Sequence, residues 1–379
     1  MEYPEEIDVF VSGQDGYHTY RIPALIVTAE KTLLAFCEGR RITGDDTDDI
    51  DVLVKRSIDG GDSWSEQQVV WGDAGNTCGN PCPVVDEATG DIWLGGTWNH
   101  IDEPLETVIA GTARFSRQPH ITHSTDDGRT WAKASNISKA TKHPEWRWYA
   151  TGPGVGIQLK HGPNQGRLVI PCNHSVPYPD NPEGYCGHIL YSDDHGQTWQ
   201  NGGIIEGVNE CQVAELTDGR LLLHGRHHDP QGMHQKGVAY SVDGGLAWSP
   251  LQFHPQLIEP VCQSSLIRYS WPEDGDKSRL LFSNPVNTVP RIVNKHMYRR
   301  RKLTVRLSYD EGETWPVAKL LEDGSSAYSC LTALPNGDIA CLHEGGGGVE
   351  KYRKRIVCKR FPLEWLTDGQ DRHPRSAAR

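Results

Sequence analysis

Six short apolar runs punctuate the chain, each introduced by a polar turn: KTLLAFCE around Leu33, GDIWLGGT around Ile92, GRLVIPCN around Leu168, GRLLLHGR around Leu221, SRLLFSNP around Leu280 and GDIACLHE around Ile339. Leu33 and Ile339 lie 306 residues apart, so the five intervals average about 61 residues. That is longer than the roughly 40–50 of common propeller repeats, and it accommodates four strands with generous loops. A second repeat, Ser-x-Asp-x-Gly-x-x-Trp, follows each of the first five runs: SIDGGDSW from Ser57, STDDGRTW from Ser124, SDDHGQTW from Ser192, SVDGGLAW from Ser241 and SYDEGETW from Ser308. Each copy is preceded by an alternating run such as DVLVKR or LTVRL, and its Asp and Gly supply backbone hydrogen bonds and positive φ. These copies predict hairpin turns with a Trp anchored in the core. The sixth apolar run is followed by the strand-like RKRIVCKRF. The pattern predicts an all-β fold: a six-bladed β-propeller with four-stranded antiparallel blades, one domain over residues 1–379. A strand near Ile7 to Val11 closes the ring against the last blade.

Strand direction then separates two rims. If each apolar run is the second strand of a blade, its C-terminal end shares a rim with the starts of the first and third strands. The Ser-x-Asp turns fall on the opposite rim, and their carboxylates are read as structural. Five residues on from the aligned apolar positions stand Glu38, Thr97, Asn173, Arg226, Pro285 and Glu344; 11 or 12 residues back stand Arg21, Asn80, Glu210 and Tyr328. The same rim receives the loop GDDTDDID, residues 44–51, and the segment RRRK, residues 299–302. Several arginines gathered at one concave mouth suit a small anion, most simply a carboxylate, which guanidinium groups hold with bidentate geometry.

Composition narrows the field. With 38 Lys+Arg against 50 Asp+Glu the formal charge is −12, which argues against non-specific nucleic-acid binding. The 40 Gly, 24 Pro and mean hydropathy of −0.57 describe a turn-rich chain. No apolar run approaches the ~18 residues of a membrane span. The start MEYPEEIDVF lacks a basic segment followed by an apolar one, so a cytoplasmic chain is expected, with a trimmed exported protein as the alternative. Ten cysteines without a CxxC pair read as small core residues, and His227, His228 and His234 as a surface loop; no metal site is expected.

YRIPAL at 20–25, the five Asp turns, ECQVAE at 210–215 and SSAYS at 325–329 together resemble the exo-α-sialidases, both bacterial and cytosolic mammalian-type. The resemblance covers nearly the whole chain. It implies a six-bladed propeller that hydrolyses terminal sialic acids from glycoproteins, oligosaccharides and gangliosides, with retention through a tyrosyl intermediate and no cofactor. Carried over, the carboxylate-binding arginines are Arg21, Arg226 and Arg300. For the third, the family's Arg-x-Asn-Leu-Thr meets RRKLT here, so Arg299 and Arg301 stay open as register alternatives, and Lys302 departs from the usual Asn. Tyr328 matches the nucleophile and Glu210 its partner. DTDDID favours Asp46 as acid/base, with Asp45 the rival; Glu38 and Glu344 match the carboxylates bracing Arg21, and Arg40, Asn80 and Asp45 are expected substrate contacts. A phenol suits this chemistry, because a carboxylate nucleophile would be repelled by the substrate's own carboxylate, and Glu210 can accept the phenol proton. The rival readings are a non-catalytic glycan-binding propeller, a trans-sialidase, and a sialidase preferring the deaminated sugar.

Overall fold

Each aligned apolar run becomes the second strand of an antiparallel meander. The computed structural model describes residues 3–176, 184–228, 233–289, 299–346 and 353–375. Leu33–Arg40 lies between Thr19–Val27 and Ile50–Ser57, with Gln68–Trp71 outside. Ile92–Asn99 lies between Thr77–Val85 and Gln118–Ser124, with Ser135–Asn136 outside. Leu168–Ser175 pairs with Tyr149–Thr151 and Ile157–Gln158 on one side and Tyr185–Ser192 on the other, and the latter takes Gln200–Asn201 and Ile205–Glu206. Leu221–Gly225 lies between Cys211–Glu215 and Gln235–Ser241, with Gln252–Ile258 outside. Arg279–Pro285 lies between Ser265–Ser270 and Arg301–Ser308. The long strand Val317–Ala333 then serves twice, pairing first with Arg301–Ser308 and later with Ile339–Gly346. Arg355–Phe361 follows, and Glu5–Val11 pairs antiparallel with it, as expected for the N-terminal strand.

Some neighbouring meanders are joined by hydrogen bonds. The parallel bridge between Ile50 and Thr77 and the shared strand Val317–Ala333 merge neighbours, so hydrogen bonding yields four sheets. Outer strands of the second and third meanders are only two residues long. In the third, the first strand is split where Gly152 and Gly154 take φ of 56° and 124° around Pro153, which has no N–H to give a ladder.

The second strands explain their own composition. Every residue of Leu33–Arg40, Leu168–Ser175, Leu221–Gly225 and Arg279–Pro285 is buried, so these runs read as continuously apolar where solvent-facing strands alternate. Register fixes the two rims: Arg40 pairs with Ile50 at one end and Leu33 with Ser57 at the other, roughly 23 Å apart along the strand. All five Asp turns share one design at the Ser57 end. In the copy at Ser192, the hydroxyl accepts Gly196 N–H at 2.8 Å and donates to Asp194 at 2.7 Å, while Asp194 accepts Thr198 N–H at 2.8 Å. Gly196 (φ 82°) packs so closely that a Cβ would lie 2.0 Å from the Trp93 ring. These carboxylates are consumed by their own turns, as expected.

Candidate active site

At the opposite rim, bulges in the first strands redirect side chains inward. The register slips between Arg21 and Ala24, Gly79 and Cys82, and Ser326 and Ser329. Ile22 and Asn80 take positive φ of 60° and 54°; for the β-branched Ile22 this conformation costs roughly 1–3 kcal/mol, held by its surroundings.

One buried carboxylate anchors two of these bulges. Glu344 accepts Arg21 Nε and Nη2 at 2.9 and 3.2 Å, Ile22 N–H at 3.0 Å and Tyr328 N–H at 3.2 Å. Tyr328 Oη donates to Glu210 Oε1 and accepts from Arg226 Nη1 at 3.1 Å, while the same nitrogen donates to Glu210 Oε2 at 2.7 Å. The Tyr328 ring has the Arg21 and Arg300 guanidinium carbons 5.0 and 5.2 Å from its centroid. Arg300 Nη2 donates to Val261 O at 3.2 Å. The structure therefore brings Arg21, Arg226 and Arg300 around one phenol.

Asp46 closes the mouth on the side of the first meander. Its half-exposed carboxylate accepts Arg40 Nη1 at 2.8 Å and lies 3.5 Å from Arg21 Nη1. The loop beneath is gripped at Gly44 O by Arg40 Nη1 and Arg353 Nη1 at 2.7 and 2.6 Å. Glu38, expected to brace Arg21, instead takes Arg40 through Nε and Nη2 at 3.1 and 2.7 Å and accepts Asn80 N–H at 2.8 Å. The reason is geometric: residues two apart on a strand share a face, which sets Glu38 beside Arg40. Arg40 is only 1% exposed and donates to Asp46 from beneath it.

These surroundings set the protonation states. Burial pushes the Tyr328 phenol well above its ordinary value, the Glu210 charge adds to this, and Arg226, Arg300 and Arg21 offset only part. Burial works to raise Glu210 as well, but Arg226, the Tyr328 hydrogen bond and Arg300 together hold it below the usual carboxylate range. Near neutral pH the pair is thus a neutral phenol donating to an ionised carboxylate. Partial desolvation opposes ionisation of the half-exposed Asp46 too, and Arg40 and Arg21 overcome it, holding its carboxyl far down.

The open registers separate on contacts. Arg301 Nη2 reaches Asp323 O at 3.4 Å and Arg299 is half-buried, whereas Arg300 is 5% exposed against Tyr328; Lys302 faces solvent. Asp45 is exposed, with its N–H on Thr43 Oγ1 at 3.1 Å, and among the described residues its carboxylate forms no ion pair with the arginines that hold Asp46. Asn80 Oδ1 is taken by Arg117 Nη2 at 2.5 Å and Thr97 Oγ1 at 2.9 Å, which leaves its amide NH2 without a protein partner among the described residues. Arg117 was not anticipated. It is buried, stacks with its guanidinium carbon 3.9 Å from the Trp148 ring centroid, and burial lowers its pKa to about 10 against the opposing pull of Glu38 and Asp46.

All ten cysteines are buried and free. His227 is buried, not on a surface loop, because its Nε2 meets Gln235 O at 2.5 Å and its ring packs edge-on to Phe253. No cluster of metal-ligating side chains forms among the described residues. A cavity of about 580 Å3 opens at the other ends of the first strands, between Val27, Val85, Gln158, Glu215 and Arg268, far from these charges.

A BNR repeat-like domain model matches residues 31–341. The chain is 35% identical to a sialidase of Micromonospora viridifaciens over 95% of its own length and 54% of that protein's, so it spans about half of that relative. It is 30% identical to an exo-alpha-sialidase of Aspergillus fumigatus over 93% of this chain and 86% of the other. A Hadza microbial sialidase of known structure superposes with a TM-score of 0.80 at 30% identity, covering 95% of this chain and 69% of that one. A family model over most of the chain and relatives at 30% identity or more over nine-tenths of it lead to one conclusion: the chain belongs to the BNR-repeat sialidase family.

Proposed function

We propose that the chain is a retaining exo-α-sialidase, folded as one six-bladed propeller over residues 1–379, which removes terminal sialic acids from glycoproteins, oligosaccharides and gangliosides. The six meanders supply the blades, and the pairing of Glu5–Val11 with Arg355–Phe361 supplies the closure. The observation that carries the chemistry is Tyr328 Oη hydrogen-bonded to both Glu210 and Arg226 between Arg21 and Arg300.

In this reading Arg21, Arg226 and Arg300 hold the substrate carboxylate. Tyr328 Oη attacks the anomeric carbon as its proton passes to Glu210, and the glycosidic bond breaks as Asp46 protonates the leaving oxygen. Water then gives a proton to Asp46 and attacks the same carbon; the phenolate leaves and recovers its proton from Glu210. Two displacements on one carbon give retention. The phenol is a neutral attacker towards a centre bearing a carboxylate, and the fixed arginines stabilise the phenolate as it develops. Arg40 positions Asp46 from below, Glu344 positions Arg21, and Glu38 positions Arg40 and Asn80, whose NH2 is presented to the substrate.

Turnover of fluorogenic N-acetyl and deaminated sialosides, side by side, tests the reading. Hydrolysis of either by the wild type, reduced at least about a thousandfold in Tyr328→Phe, is expected. A wild type that binds sialosides yet turns over neither would instead be a non-catalytic glycan-binding protein, and one that passes the sugar to a second glycan in preference to water would be a trans-sialidase.

A further inference from the structure

Lys236 and Glu259 form an ion pair at 2.7 Å with no exposed side-chain surface on either partner. Burying two charges is costly unless further hydrogen bonds satisfy them. Here both partners grip the backbone of one residue: Glu259 Oε1 accepts Cys262 N–H at 3.0 Å, and Lys236 Nζ donates to Cys262 O at 3.3 Å. The turn so held contains Val261, a β-branched residue at φ 58°, and it is the Val261 carbonyl that receives Arg300 Nη2. The Cys262 side chain packs with Ile22, Ala327 and Tyr328. Gln263 then exchanges two hydrogen bonds with the backbone of Ser329, Nε2 to O and N–H to Oε1, each at 3.1 Å. Three consecutive residues thus face the site: Val261 touches Arg300, Cys262 packs with Tyr328, and Gln263 binds the neighbouring Ser329.

Resting on the function proposed above, we infer that Lys236 and Glu259 are positioning residues: the pair locks the turn 259–263 so that Val261 aims Arg300 at the substrate carboxylate. An apolar pair of equal volume could fill the space. It would leave the Cys262 N–H and C=O unpaired and let Val261 relax to negative φ, turning its carbonyl away from Arg300.

The test is a double-mutant cycle in the full chain. Lys236→Met/Glu259→Met removes both charges together, so neither is stranded in the core, and Glu259→Gln is carried in parallel because it keeps an acceptor for Cys262 N–H. Each is made with Arg300 intact and with Arg300→Ala, and the Kd of 2,3-didehydro-2-deoxy-N-acetylneuraminic acid is measured by calorimetry beside the melting temperature. With Arg300 present the paired variant should weaken binding about tenfold, and with Arg300→Ala it should change Kd by less than about twofold, the non-additivity expected of coupled residues. Glu259→Gln should lose less than the paired variant. Equal losses in the two Arg300 backgrounds, in the paired variant or in Glu259→Gln if the former does not fold, overturn the inference. A wild type that neither binds the probe nor hydrolyses a sialoside overturns the functional reading and the inference with it; one that hydrolyses normally while the losses multiply overturns the inference alone.

Discussion

In the proposed reaction Asp46 must carry a proton to release the leaving oxygen, yet Arg40 and Arg21 hold its carboxyl ionised. A substrate carboxylate on Arg21 changes that balance, because it draws the Arg21 charge towards itself and adds a negative charge beside Asp46, and both raise the Asp46 pKa. Asp46→Asn should therefore lose about 10²–10⁴-fold in kcat/KM on sialosides with alkyl leaving groups and far less on a phenolic one, which needs little protonation. Equal losses on the two substrates would remove Asp46 from this role. Arg300→Ala should cost on the order of 2–4 kcal/mol in kcat/KM, and Arg300→Lys should rescue poorly because one ammonium cannot reproduce the fork. Arg301→Ala should leave steady-state kinetics near normal, since its guanidinium reaches the Asp323 carbonyl. Arg21, Glu210, Arg226, Tyr328 and Glu344 were legible in the sequence because strand register preserves their count from the aligned apolar starts. The choice between Arg300 and its neighbours, or Asp46 and Asp45, depends on side-chain direction, which spacing leaves open. Arg117 and Glu259 were illegible for another reason: their partners Asn80 and Cys262 meet them through backbone and amide contacts that no residue type announces.

The Asp turns and the bulges divide the labour between the two rims. A change confined to the far rim should cost stability and spare catalysis. Gly196→Ala adds a Cβ where the Trp93 ring lies 2.0 Å away and where φ is 82°; a loss of roughly 2 kcal/mol or more in denaturant unfolding is expected, with kcat/KM at low temperature unchanged. A parallel fall in kcat/KM would mean that the far rim shapes the mouth. Buried second strands and Asp turns were readable because both leave continuous signatures, apolar runs and a spaced Ser-Asp-Gly-Trp. The two-residue outer strands were not, since edge positions half in solvent mix polar and apolar residues without period. The split first strand of the third meander follows from Gly152, Pro153 and Gly154 acting together, where any one alone would read as a turn.

Across the whole molecule, several histidines are buried neutral. Burial depresses His174 to about 3 and His343 to about 4, and lowers His188 and His224 as well. Unfolding frees them to bind protons at their ordinary pKa of about 6.5, so below that pH the unfolded state takes up more protons than the folded one. Their contribution is fully present above about pH 6.5 and is lost as pH falls towards the depressed folded values. The melting temperature should decline between pH 6.5 and 4, and His224→Met, between Phe282 and Trp315, should flatten that slope; an unchanged slope would exclude His224 as a contributor. The proposed function turns on Tyr328 forming a bond to the sugar. A 3-fluorinated sialosyl fluoride should slow both displacements enough for the intermediate to accumulate, and peptide mass spectrometry of the digested wild type should find the added mass on the peptide carrying Tyr328 and on none in Tyr328→Phe. Label on a different residue, or an active wild type from which no adduct can be trapped and whose first product has inverted configuration, would contradict it.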